Sequence, residues 1–111
     1  MKKIFVSNLR GFSSGGICRD LVRLGIMPMS PFHAFSFLDP VPAEFRKELI
    51  WGSDEVWLFG EWEKSQEGQE DRETALAVVI PVRIVTGWGD GVLTFTSKPP
   101  EWMRRGDYAG A

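Results

Sequence analysis

The chain predicts an α/β fold, a three-layer sandwich on a mostly parallel sheet of four or five strands with a C-terminal hairpin. Three observations carry this. Short β-branched and aromatic runs alternate with helix-compatible segments in the rhythm β-loop-α-β-loop-α-β-loop-α-β, the pattern of parallel sheets with right-handed crossovers. One strand, Glu55 to Phe59 (EVWLF), carries the unbroken apolar run Val56-Trp57-Leu58-Phe59 and reads as buried on both faces. After Thr86 the rhythm changes, and GWGDG between two β-rich runs suggests a hairpin into Val92 to Thr96.

Each element has a local reason. Lys3 to Ser7 (KIFVS) is a good first strand, and Asn8 to Gly16 is loop-like. Ile17, Leu21, Val22 and Leu24 recur at helical spacing, with Ser13 or Ser14 as a cap and Gly25 at the C′ position. Ile26 to Met29 is a short second strand. Four prolines (28, 31, 40 and 42) frame a connector too proline-rich for regular structure, and Asp39-Pro40 resembles an N-cap with Pro at the first helical position. Phe45, Leu49 and Ile50 make an apolar stripe ending at Gly52. Gly68 to Ala77 is the third helix and Val78 to Val85 the fourth strand. Residues 1–97 make one domain, and the tail from residue 98 looks irregular.

Composition narrows the function classes. With 111 residues there is room for one domain, and 13 basic against 15 acidic residues leave no basic field for nucleic acid or anionic membranes. A single cysteine, Cys18, rules out an internal disulfide and fits a reducing, cytoplasmic setting; on an apolar helical face it reads as core. The MKKIFVSNL start lacks the apolar length of a signal peptide, and nothing approaches a membrane span. His33 is the only histidine, which excludes a multi-histidine metal centre. No metal and no cofactor are expected.

The candidate chemistry gathers after the buried strand. Glu70, Asp71 and Glu73 crowd the start of a helix at a strand's carboxyl end, where ligands sit in open α/β sheets. Acidic residues also suit a helix start for the macrodipole alone, so the plain reading stands beside the functional one. Ser7, Asn8, Arg10 and Gly11 follow the first strand, and Arg10 could pair with a phosphate. Ser13-Ser14-Gly15-Gly16 before a helix could cradle an anion at the helix N-terminus, though a flexible turn is the plainer reading; the Gly-Lys-Ser/Thr ending of a P-loop is absent. Of five tryptophans, Trp51 and Trp57 read as core, Trp88 and Trp102 as packing for the hairpin and tail, and Trp62 as a contact to ligand or a neighbouring subunit.

Four stretches together resemble small, often phage-borne domains related to the nucleoside 2-deoxyribosyltransferases. They are IFVSNLRG, SPFHAFSFLDPVP, SDEVWLFGEWEKSQEG and RETALAVVIPVRIV, covering residues 3–85. The resemblance implies a flavodoxin-like sandwich that binds a nucleoside or nucleotide and acts, where active, on an N-glycosidic bond. A carboxylate meets an oxocarbenium-like transition state in such chemistry. By position, Asp54 matches the Asp that holds the base, Arg10 and Gly11 the end of the first loop, and Ser65 and Gly68 the turn before the helix. The family nucleophile, a Glu four residues beyond that glycine, falls on Arg72; counting back from Pro81 favours Asp71, and counting forward to Ala77 favours Glu73. The family Tyr falls on Leu9. The implied ligand contacts are Ser7, Asn8, Arg10, Gly11, His33, Trp62, Ser65, Gly68 and Glu70, with Asp71, Glu73 and Asp54 as catalytic candidates. A non-catalytic binding, sequestering or protein-interaction role for the same pocket is the alternative. Relatives of this kind are commonly homo-oligomers, while the charge balance and single cysteine point to a cytoplasmic chain with no nucleic-acid or membrane partner.

Overall fold

The computed structural model describes residues 1–9, 14–89, 91–96 and 98–110. Its elements run β1 (Lys2–Ser7), α1 (Ser14–Arg23), β2 (Ile26–Met29), α2 (Pro31–Ala34), α3 (Ala43–Trp51), β3 (Glu55–Phe59), a 3-10 turn (Trp62–Lys64), α4 (Gln66–Ala77), β4 (Val82–Gly89), β5 (Val92–Phe95) and β6 (Tyr108–Gly110). They form a six-stranded sheet in the order β2-β1-β3-β4-β5-β6. Pairings are parallel except for the antiparallel β4–β5 hairpin. The mixed α/β class, the mostly parallel sheet and the hairpin are as expected.

Helices cover both faces of the sheet. On one face, Ile17 and Leu21 of α1 pack with Ile4, Val6, Trp57, Phe59 and Phe95. On the other, Ile50 of α3 and Ala75 of α4 pack with Phe5, Val56 and Leu58. All five residues of β3 are buried, as its two-sided apolar run requires. The alternation Val56/Leu58 to one face and Trp57/Phe59 to the other is the two-residue strand period at work.

Several expectations need correction. The proline-rich connector does contain a helical turn, α2, begun by Ser30, whose hydroxyl accepts from the His33 amide, with Pro31 at the first position. Asp39 is not a cap: Val41 precedes Pro42 and is steered away from helical geometry, so α3 begins only at Ala43. Trp51, expected in the core, is 54% exposed. Phe45 packs edge-on against Phe35 outside the main core, and the buried residues of α3 are Arg46 and Ile50. The fourth strand starts at Val82, not Val78, because the Ala75 carbonyl accepts from both Val78 and Ile80 and closes α4 over those residues.

The tail is the largest departure. β6 adds a sixth strand, parallel to β5. Trp102 stacks on Trp57 with ring centroids 6.2 Å apart at 15°. Its indole Nε1 donates to Glu55 Oε2 at 2.7 Å, while Trp57 Nε1 donates to Oε1 of the same buried carboxylate at 3.0 Å. Arg83 approaches Oε1 at 3.4 Å and donates to the Lys98 carbonyl at 3.1 Å. A buried carboxylate needs such partners, and here they pin the tail to the amino end of β3.

Candidate functional site

The carboxyl ends of β1 and β3 form a crevice because their chains leave toward opposite faces, β1 into α1 and β3 into α4. That divergence is the topological switch point at which open α/β sheets hold ligands. Asn8 ties the two ends together: it adopts φ 62° and its Nδ2 donates to the Phe59 carbonyl at 2.9 Å. Asn tolerates this left-handed conformation better than most residues. Gly60, also left-handed at φ 61°, turns the chain out of β3 on the other side.

Asp71 sits beneath the crevice. Its helix begins at Ser65, whose hydroxyl accepts from the Gly68 amide at 3.1 Å. Gly68 lies so close to the 3-10 turn that a Cβ there would stand 2.8 Å from the Trp62 carbonyl oxygen. This approach seats α4 with Gly68, Asp71 and Ala75 facing inward. Asp71 Oδ2 accepts from the Ser7 hydroxyl at 2.7 Å, and Oδ1 accepts from Arg46 Nε at 3.0 Å. Arg46, itself buried, also donates to the Val41 carbonyl at 2.7 Å and to Glu70 Oε1 at 3.0 Å. One guanidinium thus fixes α3, the proline connector and α4 around one carboxylate.

Burial pushes the Asp71 carboxyl above its ordinary value; bonds from Ser7 and Arg46 pull it back, and nearby Glu67 adds a further upward push. The sign for stability follows. A folded-state value above the unfolded one means the folded chain holds the proton more tightly. Asp71 therefore contributes stability that is present in full below the unfolded value and is lost as the pH rises through the raised folded value. Urea midpoints measured across that window should fall with rising pH in the wild type, and Asp71→Asn should flatten the fall. An unchanged slope in the variant would place the titrating group elsewhere.

Two clefts share Asn8, next to the Ser7 that bonds this carboxylate. One, of about 500 Å³, lies between α3 and α4 and is lined by Val41, Arg46, Ser65, Glu67 and Glu70 among others. The second, of about 270 Å³, is lined by Leu9, Phe59, Gly60, Thr86 and Trp88 on the hairpin side. A small recess that shares Asn8 with both brings Leu9, Glu67 and Asp71 together.

The structure therefore gathers Ser7, Asn8, Ser65, Glu70 and Asp71, and it separates the rest. Gly68 backs the site through Trp62 and does not line the clefts. Glu73 is exposed; two residues beyond Asp71, it is rotated by about 200° around the helix. Asp54 is exposed at the amino end of β3, where it accepts from the Lys3 amide at 2.8 Å. The whole strand, roughly 17 Å, lies between it and Asp71, so the two cannot act on one reacting centre. His33 lines a different groove, with Cys18 and Ser30. Trp62 packs toward the α3–α4 core with Arg72 5.8 Å over its ring. Arg10 and Gly11 lie outside the described residues.

Arg46 and Glu67 were missed from sequence. Arg46 shares a helix face with Ile50 by its i, i+4 spacing, the one hint that it turns inward. Glu67 lies one turn before Asp71 and lines both the α3–α4 cleft and the recess. Among the described residues no helix is long and apolar enough to cross a membrane, and no group of three or more His, Cys, Asp or Glu side chains could hold a metal ion. No family model, curated protein or solved structure matches the chain.

Proposed function

We propose that the chain binds a nucleoside- or nucleotide-like molecule in the paired clefts at the carboxyl ends of β1, β3 and β4. The observation that carries the reading is Asp71, a buried carboxylate at the β1/β3 switch point that lines a small recess sharing Asn8 with both clefts. Leu9 and Trp88 offer apolar surface for a base on the hairpin side, and Glu67 and Glu70 offer acceptors for sugar hydroxyls on the other. The order β2-β1-β3-β4-β5 is also that of flavodoxin-like sheets, although β5 here runs antiparallel.

Chemistry on an N-glycosidic bond needs a carboxylate that can approach the anomeric carbon. In this reading Glu67 presents that carboxylate and Asp71 holds the floor of the site. A second reading is a binding protein without catalysis. Its support is specific: each oxygen of Asp71 already accepts a hydrogen bond, one from Ser7 and one from Arg46. Self-association belongs to either reading. Exposed Phe37 and Trp51 suit it better than Trp102, which turns inward onto Trp57. A sedimentation mass of one chain at micromolar concentration would remove it.

A thermal-shift screen against nucleosides, their monophosphates, cyclic nucleotides and ADP-ribose tests the reading. A ligand at 100 times its Kd should raise the midpoint by roughly 10 °C. Release of free base on chromatography, lost in Glu67→Gln, marks an enzyme. Stabilisation without release marks the binding protein. No shift with any of these compounds contradicts both.

A further inference from the structure

The chain has one cysteine and one histidine, and the fold brings them together away from the clefts just described. Cys18 of α1 stands with its Sγ 3.9 Å from Nδ1 of His33 in α2. The Ser30 hydroxyl also meets Nδ1, at 2.8 Å, and the Ser14 hydroxyl meets Nε2 at 3.4 Å. Both side chains line a groove of about 410 Å³ along the β2 edge, and Met27 and Met29 line it too. The cysteine, the only imidazole of the chain and two methionines therefore line one groove. Burial pushes the Cys18 thiol up, with the Ser30 hydroxyl offsetting part of the rise, so the resting group is a thiol and a poor nucleophile.

We propose that Cys18 and His33 form a binding site for a soft monovalent metal ion of the Cu(I) type. Thiolate, imidazole and thioether are donors that suit such an ion, and an array without carboxylates disfavours the hard cations. The spacing fits. With the bond lengths that these donors make to zinc, about 2.3 and about 2.05 Å, a shared ion places the two donors about 3.6 Å apart in tetrahedral geometry, about 3.8 Å in trigonal and about 4.3 Å in linear. The observed 3.9 Å lies within that range. A three-coordinate ion would leave one position open to the groove that Met27 and Met29 also line. On binding, the thiol proton leaves to solvent and Ser30 gives up its bond to Nδ1. Ser14 stays on Nε2 and fixes the ring, as outer-sphere partners of metal-bound histidine do.

The test is an anaerobic titration of the full chain against Cu(I) buffered by the chromophoric chelator bicinchoninate. The site should withdraw one Cu(I) per chain. Cys18→Ser should abolish withdrawal, and His33→Gln should weaken it by at least about tenfold. Because His33 is exposed, that variant should keep its fold, checked by circular dichroism. Failure of the wild type to withdraw copper overturns the site. So does wild-type affinity in His33→Gln, which would reduce the site to an isolated thiol.

Discussion

Arg46→Ala should lower stability by about 3–5 kcal/mol, the cost of stripping a buried ion pair of one partner. Arg46 and Asp71 are both almost fully buried, and the guanidinium makes three bonds, to Asp71, Glu70 and the Val41 carbonyl. Removing it leaves the Asp71 carboxylate with Ser7 alone and frees the connector between α2 and α3. For a domain whose total stability is of order 5–15 kcal/mol, that is a large share. The companion result separates loss of pairing from loss of volume. Arg46→Met with Asp71→Leu replaces the pair by apolar side chains and should recover most of the loss, since buried pairs contribute little beyond their own desolvation. Urea midpoints read both. A single variant within about 1 kcal/mol of wild type would mean that water reaches Asp71 in solution.

Trp102→Ala should cost about 2–4 kcal/mol, through the lost stack on Trp57 and a Glu55 oxygen left without its indole donor. The signature is local as well as global. Arg104 and Arg105 lie just beyond the anchor, and trypsin should cut there faster in the variant, because the segment is held by Trp102, Met103 and the short β6. Trp102→Phe keeps the stack and should fall between the two chains. Equal cutting in all three would show that β6 alone holds the tail.

The fold was legible where one physical signal dominated. The EVWLF run could only be a strand buried on both faces, and it is. Ile17 and Leu21 at helical spacing, closed by Gly25, revealed α1, although the helix begins at Ser14, so Ser14, Gly15 and Gly16 are helical and not a turn. The connector failed because two effects compete there. Proline forbids a long helix but favours a first turn, so α2 starts at Pro31 while Val41, preceding Pro42, delays α3. The tail failed because its anchor is tertiary: nothing local in residues 98–108 announces that a buried Glu55 accepts from Trp102.

The site was legible in part for the same reason. Acidic residues after a buried strand pointed to α4, but only the rotation of the helix distinguishes inward Asp71 from outward Glu73. That rotation is set by Gly68 pressing on Trp62, a contact the sequence does not display. Asp54 illustrates the opposite error. Position along a strand says which end a residue occupies, and the amino end of β3 is the end away from the crevice. Arg46 was hidden because a lone arginine in a helix with aromatic neighbours reads as solvent-facing.

The central claim is that a ligand enters at the carboxyl ends of β1 and β3. An amide-resolved NMR titration of the wild-type chain with the nucleosides and nucleotides of the thermal-shift panel tests it most directly. The account predicts that the shifted amides cluster at Asn8, Gly60, Glu67, Asp71 and Gly87, while those of Asp54 and Glu55 at the far end of the sheet stay in place. Shifts centred on Asp54, or none with any compound at millimolar concentration, would contradict it.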